Sequence, residues 1–463
     1  MRKYICESED VEENGRQSRG IDVSSHRQRV EEVDLPCAHM VHDVEELETF
    51  FRRTGLDRVI VYRSLEQQER SKHCLSDLNM WYPADVLEQF TTQLHRFVSP
   101  DMEIPTIDVL TQEEGPVFTV TDVQRYFQTP VEERDRMLNI VSFNLAFTDL
   151  HGYVVPPSIV RDLDLVRRVW PRQDMARFQK DTVWNPFAFL HDEERDAYAA
   201  PETITYLLLG PAGAYTDWHV DMGGSSVWYH VVRGRKVFMA APNTPNNIQA
   251  FLEWSSSEEQ VLFLGERLEG CVQAVLQPGD TLFLPGGWFH AVSTPEDSIV
   301  LGGNYINPLQ LGNALRVVDI EKELRIGRDA MYPKYEMLMY YAACDFIRRI
   351  EGSKGVFETR TMVSRHEEEG LPHLVSYFET LVGSLVQKAA RRKKDAEVFK
   401  RHVDACVERM EMVVDFLRKS IDYLASIKSG AESSSGREPL FEGFPDPLAG
   451  RNLYNIQSLQ DKR

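Results

Sequence analysis

The sequence predicts an α+β protein with a β-rich centre, a mixed α/β region before it and a helical region after it. Between about residues 202 and 308, short runs of β-forming residues alternate with Gly and Pro turns, which is typical of a sandwich or jelly roll. From about 311 to 427, apolar residues recur at three- and four-residue steps, which predicts helices. From about 42 to 200, short helical segments and short strands alternate.

These patterns divide the chain into five segments, of which the outer two are predicted to be disordered. The first segment is charged and has few aromatic residues, and the last is rich in Ser, Gly and Pro. We therefore expect a disordered segment over 1–40, a mixed α/β support region over 41–200, the β-rich core over 201–310, a helical domain over 311–427 and a disordered tail over 428–463.

The mixed region contains recognisable helix boundaries. Residues 43–55 predict a helix closed by its final glycine, and residues 58–62 predict a strand. A further helix is expected to start at Thr121. Residues 129–132 look like the start of another helix, with a capping threonine, a proline at the first position and a glutamate at the third. That helix would lead into a strand over 138–143.

The β-rich region contains a predicted hairpin and a helical insertion. The apolar runs within residues 226–241 meet at Arg233-Gly234, which is a hairpin signal. Residues 245–254 predict a helix inserted between strands.

The most informative pattern is His219-Val220-Asp221, followed about seventy positions later by His290. Two imidazoles and a carboxylate can occupy one face of an octahedral metal and leave the other face open, as in non-haem Fe(II) oxygenases. In a strand, residues i and i+2 point to the same side, so His219 and Asp221 can share an ion. His290 follows a Pro-Gly-Gly turn in another predicted strand. The alternative for a single strand histidine is a hydrogen-bonded core residue.

A second His-x-Asp pattern, His402-Val403-Asp404, lies in a segment with helical periodicity. On a helix, residues i and i+2 diverge by about 200° around the axis, so they cannot easily chelate one ion. We therefore expect no metal at this second copy.

Lys236 is a candidate anion-binding residue because it has the same strand parity as Phe238. A lysine that faces the interior is costly unless it meets an anion. Beside a metal triad we favour the inward orientation over the solvent-facing alternative. If the co-substrate is 2-oxoglutarate, Lys236 and Thr216 could bind its distal carboxylate.

The composition excludes several classes of protein. A net charge of −20 makes the chain a poor general binder of nucleic acid and suits a basic partner such as a histone tail, although solubility alone is the alternative. The six cysteines form no Cys-x-x-Cys pair, which argues against a disulfide framework or a zinc finger. The sequence has neither an apolar signal segment nor a run long enough to span a bilayer, so we expect an intracellular, reduced protein without a membrane partner.

Several segments resemble the JmjC-domain histone lysine demethylases, especially the branch that usually carries PHD or CXXC fingers. The resemblance runs from about residue 45 to 345. It is carried by IDVLTQ, RYFQTPVEER, LNIVSF, YTDWHVDMGGSSVWYHVVRGRKVF, FLGER and PGGWFHAVSTPEDSIVLGGNY. It implies that the β-rich centre is a double-stranded β-helix, the jelly-roll or cupin-like core of that family.

The resemblance also implies roles for eight residues. His219, Asp221 and His290 would hold Fe(II), Thr216 and Lys236 would bind the distal carboxylate of 2-oxoglutarate, Asn139 and Asn304 would line the co-substrate and oxygen side of the metal, and Tyr229 would lie near the co-substrate and the methyl-lysine entrance. For Asn304 a turn role remains open, and for Tyr229 a core role. Trp218 and Met222 stand where that branch usually has phenylalanines, which puts the pocket shape in question.

The implied reaction is Fe(II)- and 2-oxoglutarate-dependent removal of methyl groups from methylated lysines of histone H3, with mono- and dimethyl-lysine favoured. It would hydroxylate the N-methyl group with O2 and release formaldehyde. The implied partner is a methylated histone tail. A separate chromatin-targeting partner is expected because the sequence shows no PHD or CXXC finger. The implied location is the nucleus, with residues 391–394 as either an import signal or a solvated helix face.

Three other functions remain open from the sequence. A JmjC hydroxylase would leave a stable hydroxyl group on a non-histone substrate, so product mass distinguishes it from a demethylase. A non-catalytic chromatin scaffold would form no succinate. A cupin-like isomerase or sugar-binding protein would share only the metal core, whereas the resemblance extends beyond that core.

Overall fold

The computed structural model describes residues 22–64, 94–170, 199–256, 262–352, 363–393 and 396–429, with residues 91 and 186–190. The chain forms two compact units. The first consists of Met1–Arg161, Glu202–Ile306 and Arg316–Met331, and the second of Asp162–Pro201, Asn307–Leu315 and Tyr332–Arg463. The five predicted segments group the chain differently, and their boundaries stay a prediction. The predicted tail over 428–463 lies almost wholly outside the described residues.

The strands belong to the first unit and form one large mixed sheet, which is jelly-roll-like as predicted. Their order across the sheet is β1-β2-β10-β8-β11-β6-β5-β3-β4, with β7 paired to β11 and β9 paired to β8. The strands are β1 His39–Val41, β2 Ile60–Tyr62, β3 Ile107–Asp108, β4 Glu113–Glu114, β5 Leu138–Asn144, β6 Tyr206–Gly210, β7 Ala214–His219, β8 Ser226–Ala241, β9 Val272–Leu276, β10 Thr281–Leu284 and β11 Phe289–Tyr305.

The helices account for the α part of the predicted α+β class. They are α1 Val23–Glu32, α2 Val44–Thr54, α3 Val120–Gln128, α4 Ser158–Leu163, α5 Leu165–Val169, α6 Pro245–Ser256, α7 Leu311–Glu323, α8 Tyr335–Gly352, α9 Arg365–Arg391 and α10 Ala396–Lys428. In the described part of the chain, no helix is both long and apolar enough to cross a membrane.

The predicted hairpin at Arg233-Gly234 is wrong, because both apolar runs belong to the single strand β8. Gly234 has a φ of +76°, and a Cβ atom there would lie 2.1 Å from the Asp297 carbonyl oxygen of β11. The pairing of β8 with β11 is irregular over the same stretch, with register shifts between Ser293 and Ile299. The glycine therefore marks a bulge at which two paired strands bend together, and a bulge of this kind interrupts the side-chain alternation.

The bulge changes the parity of β8. Before it, the odd-numbered Tyr229 and Val231 pack in one apolar cluster, and after it the even-numbered Phe238 joins the same cluster. Val237 and Met239 pack on the opposite face of the strand. As a result, both halves of β8 contribute side chains to one interior.

Of the predicted helix boundaries in the mixed region, the end at Gly55 is confirmed, the start at Thr121 is displaced by one residue and the start at residues 129–132 is wrong. The Asp43 side chain caps α2, and Gly55 closes it with a φ of +66°. The helix expected from Thr121 begins one residue earlier, with Thr119 as its cap. Residues 129–132 start no α-helix, only a 3-10 turn over Val131–Glu133. The Thr129 hydroxyl instead donates to the Arg125 carbonyl, so this threonine ends α3 rather than capping a new helix.

The prediction of disorder is wrong for residues 22–40, whereas residues 1–21 lie outside the described part. Asp22 caps α1, and Val30 is fully buried. The His26 ring packs edge-on against Tyr215 and Phe263. The Gln273 side chain of β9 donates to the Val30 carbonyl at 2.7 Å. These long-range contacts stabilise α1. The sequence of α1 has no apolar periodicity, so it did not predict a helix.

The second unit is helical, as predicted for residues after 311. The Glu367 carboxylate accepts hydrogen bonds from the Arg349 guanidinium at 2.9 and 3.2 Å and from Arg168 at 3.1 Å. Burial opposes its ionisation, but the charges of Arg349 and Arg168 hold the pKa of Glu367 at about 2. The second His-x-Asp pattern lies in α10, where Asp404 pairs with Lys400 at 2.7 Å. The helical periodicity predicted for this segment is therefore confirmed.

Candidate metal centre

The pairing of β7 with β11 brings the two predicted histidine ligands together. His219 is the last residue of β7, and it lies opposite His290 near the start of β11, with ring centroids 4.0 Å apart. Asp221 follows two residues later and precedes a turn in which Gly223 and Gly224 have φ values of +58° and +63°. The backbone N–H of Gly223 donates to the Glu321 carboxylate at 2.7 Å, which fixes this turn.

One potential ligand atom from each of His219, Asp221 and His290 lies within 4.8 Å of the other two. The Nδ1 atom of His219 lies 2.8 Å from the Asp217 carbonyl oxygen, and that of His290 lies 3.2 Å from the Trp288 carbonyl oxygen. A carbonyl only accepts hydrogen bonds, so each Nδ1 carries the proton. Each Nε2 is then unprotonated and able to bind a metal ion.

The electrostatics of the cluster also suit a metal ion. Burial lowers the pKa of His219 to about 3 and that of His290 to about 4, so both rings are neutral at physiological pH. Burial raises the pKa of Asp221, although His219 and a hydrogen bond from Asn304 act against this rise. Because a partly buried carboxylate is costly without a positive partner, a divalent cation would offset the charge of Asp221.

The triad lines a cavity of about 540 Å³, and all eight residues singled out in the sequence lie on its wall. Tyr229, Lys236 and Asn304 reach it from β8 and β11, and Asn139 reaches it from β5. The structure therefore brings together residues that are separated by up to 165 positions in the chain.

The cavity also contains a buried lysine. Lys236 is 3% exposed, so the predicted inward orientation is confirmed. Its Nζ atom donates to the Thr294 hydroxyl at 2.7 Å, and a Cβ atom added at Gly210 would lie 2.7 Å from this Nζ. Burial lowers the pKa of Lys236 to about 7. Nearby, the Asn139 amide donates to the Thr216 hydroxyl at 3.3 Å.

Two residues at this site were not singled out from the sequence. Thr294 has the same parity as His290 and Val292 on β11, so the period of two could have identified it. Tyr206 lies on the cavity wall, and its pKa is raised by burial and by the charge of Asp221. Tyr206 and Leu208 are two positions apart on β6 and both lie on the cavity wall, so the period of two could have indicated that Tyr206 faces the site.

Residues 206–304 match the family model of the JmjC domain, hydroxylase. The chain is 31% identical over 313 residues to a JmjC domain-containing histone demethylation protein 1 of Yarrowia lipolytica, covering 66% of this chain and 55% of that protein. It is 35% identical over 247 residues to lysine-specific demethylase 2A of Xenopus tropicalis, covering 53% of this chain and 20% of that protein. It is 33% identical over 262 residues to histone lysine demethylase PHF8 of Danio rerio, covering 56% and 23%.

The chain thus contains a JmjC domain, and the resemblance to the JmjC-domain histone lysine demethylases is confirmed. The match spans between 20% and 55% of the length of these three relatives. The JmjC domain and the His-Asp-His cluster together indicate an iron site.

Proposed function

We propose that this chain is an Fe(II)- and 2-oxoglutarate-dependent oxygenase that removes methyl groups from mono- and dimethylated lysines of histone H3. The observation that carries the proposal is the single cavity that contains both a His-Asp-His cluster and a buried lysine. One part suits a divalent metal, and the other suits a carboxylate.

In this proposal, His219 and His290 bind iron through Nε2, and Asp221 supplies the carboxylate. The donor set fits Fe(II), because two neutral imidazoles and one carboxylate leave other coordination positions open. The Asn304 amide donates to Asp221 and to the Ser225 hydroxyl, the latter at 2.9 Å. Asn304 therefore orients the carboxylate, as a supporting residue around a metal is expected to do.

Lys236 is the proposed partner of the distal carboxylate of 2-oxoglutarate. Burial is the cause of its lowered pKa, and no carboxylate in the described part of the chain counters that effect. A buried amine of this kind is stabilised when a ligand brings an anion to it. Thr216 and Asn139 lie on the same wall and supply hydrogen-bonding groups, while Tyr229 packs against Phe238 beside them.

When bound, Fe(II) and 2-oxoglutarate supply the O2-dependent oxidation of a C–H bond in an N-methyl group. The hydroxymethyl amine that results would lose formaldehyde and leave a lysine with one methyl group fewer. The wall formed by Tyr206 and Asn304 would position the methylated ammonium beside Asp221.

The histone substrate and the nuclear location rest on the relatives. Several of them are named as histone demethylases, and the chain's net charge of −20 suits a basic tail. Of the predicted import signal over 391–394, Arg391, Arg392 and Lys393 are exposed where α9 ends, and Lys394 lies outside the described residues.

A panel of methylated H3 and H4 peptides tests the proposal. Each would be incubated with the protein, Fe(II), 2-oxoglutarate and ascorbate, and then measured by mass spectrometry together with succinate. The expected result is that one H3 peptide loses methyl groups, each a decrease of about 14 mass units, and that one succinate forms for each methyl group lost. Succinate-free reactions with every peptide would contradict an oxygenase and favour a scaffold.

A protein hydroxylase is the second candidate, because the description of the matching family model includes the word hydroxylase. In that case a peptide would gain one oxygen and retain its methyl groups. Succinate formed without any change in the histone peptides would also favour this function over demethylation.

A further inference from the structure

We propose that Gln112 is a positioning residue, which holds the His219 strand in the geometry that the metal centre needs. This inference rests on the proposed metal site. Gln112 lies between β3 and β4 and is 3% exposed. Its Oε1 atom accepts from the Asp217 backbone N–H at 2.9 Å, and its Nε2 donates to the carbonyl oxygens of Tyr215 at 3.0 Å and Val109 at 2.6 Å.

The strand β7 pairs with no described strand other than β11, and that pairing is interrupted beside Asp217. Thr216 lies opposite Val292, and His219 lies opposite His290. Two residues of β7 therefore face the single Ala291, which is the arrangement of a β-bulge. The amide group of Gln112 has the same donor and acceptor as a peptide group, so it replaces a neighbouring strand where the ladder fails.

A direct path leads from this amide to the metal ligand. Gln112 holds the N–H of Asp217, and the carbonyl oxygen of the same residue accepts from the Nδ1 of His219 at 2.8 Å. That carbonyl fixes the tautomer of His219 and the direction of its Nε2. Movement of Asp217 would therefore misdirect the metal-binding nitrogen, even with all three ligands present.

The backbone conformation of Gln112 supports a specific role for its side chain. Its φ is +58°, a conformation that is unfavourable for most residues and suits Gly or Asn better. Neither could place an amide at this distance, because glycine lacks a side chain and asparagine is one methylene shorter. Gln112 thus makes its three amide hydrogen bonds at the cost of an unfavourable φ. A residue held in such a backbone conformation often marks a functional constraint.

Asn247 provides a matched control within the same unit. It is fully buried in α6, and its amide donates to the carbonyl oxygens of Pro242 and Glu269 at 2.8 and 2.9 Å. Its Oδ1 accepts from the Glu269 N–H at 2.8 Å. The two side chains therefore make the same three kinds of bond, but the partners of Asn247 are not adjacent in sequence to a metal ligand.

The test is anaerobic Co(II) titration of the wild type, Gln112→Ala and Asn247→Ala, monitored by d–d absorption well below the unfolding temperature. We expect Gln112→Ala to raise the Kd for Co(II) by about 10- to 100-fold and to alter the absorption bands. Asn247→Ala should lower the melting temperature and leave the Kd within about twofold. An unchanged Kd in Gln112→Ala, or an equal rise in both variants, would overturn the positioning role.

Gln112→Glu decides the question if Gln112→Ala does not fold. The carboxylate keeps the acceptor for Asp217 but cannot donate to Tyr215 or Val109, so a weaker affinity for Co(II) is again expected, and wild-type affinity would reject the role. The titration also separates the two proposals. A wild type that binds no Co(II) contradicts the metal site itself, whereas equal binding by wild type and Gln112 variants contradicts only this inference.

Discussion

The ammonium of Lys236 donates to the hydroxyl of Thr294 at 2.7 Å and so connects the two long strands β8 and β11 beside the cavity. The hydroxyl orients Nζ, and the glycine at position 210 leaves space beside it. This pair is the part of the site in which we expect 2-oxoglutarate affinity to reside.

Replacing Lys236 by methionine should weaken the affinity for 2-oxoglutarate and preserve the apolar stem. A charge-assisted hydrogen bond contributes about 1.5–3 kcal/mol, so the half-saturating concentration of 2-oxoglutarate should rise by about 10- to 100-fold. This concentration is measured by following the rate of succinate formation as 2-oxoglutarate is increased. Lys322→Met, at an exposed lysine, is the control. An unchanged requirement in Lys236→Met would remove Lys236 from the co-substrate site.

Replacing Thr294 by valine should have a smaller effect on the same quantity. The change retains the volume and removes only the hydroxyl that orients Lys236. The loss of one orienting hydrogen bond, about 1 kcal/mol, predicts a rise of roughly fivefold in the 2-oxoglutarate requirement. A rise as large as that of Lys236→Met would instead mean that Thr294 contacts the ligand itself.

The two His-x-Asp patterns allow a matched test of the metal site. His219→Ala should abolish both metal binding and turnover, because it removes one of three ligands. His402→Ala should change neither, since His402 stacks on Phe189 in the helical unit. Iron retained after dialysis, measured by a colorimetric chelator assay, compares the variants. Normal iron content and turnover in His219→Ala would reject the assignment of the triad.

Gly234→Ala should destabilise the first unit, because a Cβ atom there would collide with the Asp297 carbonyl and the φ is positive. We expect a loss of about 3 kcal/mol in the free energy of unfolding, measured by urea denaturation. Gly327→Ala is the matched control, as nothing lies within 4 Å of its added Cβ. Equal stability of the two variants would show that the bulge accommodates a side chain.

Glu367 should make the helical unit sensitive to acid. Its pKa in the folded chain is about 2, below the ordinary value of 4.5, so its stabilising effect is present above pH 4.5 and is lost as the pH falls towards 2. The effect is on the order of 3 kcal/mol. Melting temperatures of wild type and Glu367→Gln should therefore differ most near neutral pH and converge near pH 2. A gap that does not depend on pH would contradict this account.

The parts of the site that follow a period of two were predictable from the sequence. Lys236 shares a strand parity with Phe238, so its inward orientation needed no knowledge of distant contacts. The same parity predicted that His219 and Asp221 face one site, although β7 ends at His219 and Asp221 lies two residues beyond that end. The identity of the family then supplied Asn139 and Asn304, which belong to other strands.

The features that were missed depend on contacts distant in sequence. A glycine between two apolar runs has the same local pattern in a hairpin and in a bulge, and only the approach of Asp297 distinguishes them at Gly234. The helix α1 has few apolar residues, and its burial depends on Tyr215 and Phe263. Gln112 was not identified, because the residues next to it in the sequence do not indicate that the pairing of β7 with β11 is interrupted.

The change of parity at Gly234 means that one continuous segment lines the cavity twice, with Tyr229 before the bend and Lys236 after it. The two walls are therefore covalently coupled over a few residues and share their hydrogen bonds with β11. Fraying of β8 should therefore disturb the Tyr229 part and the Lys236 part of the cavity wall together. Loss of the cavity wall and unfolding of the sheet in the first unit should then occur as one cooperative transition.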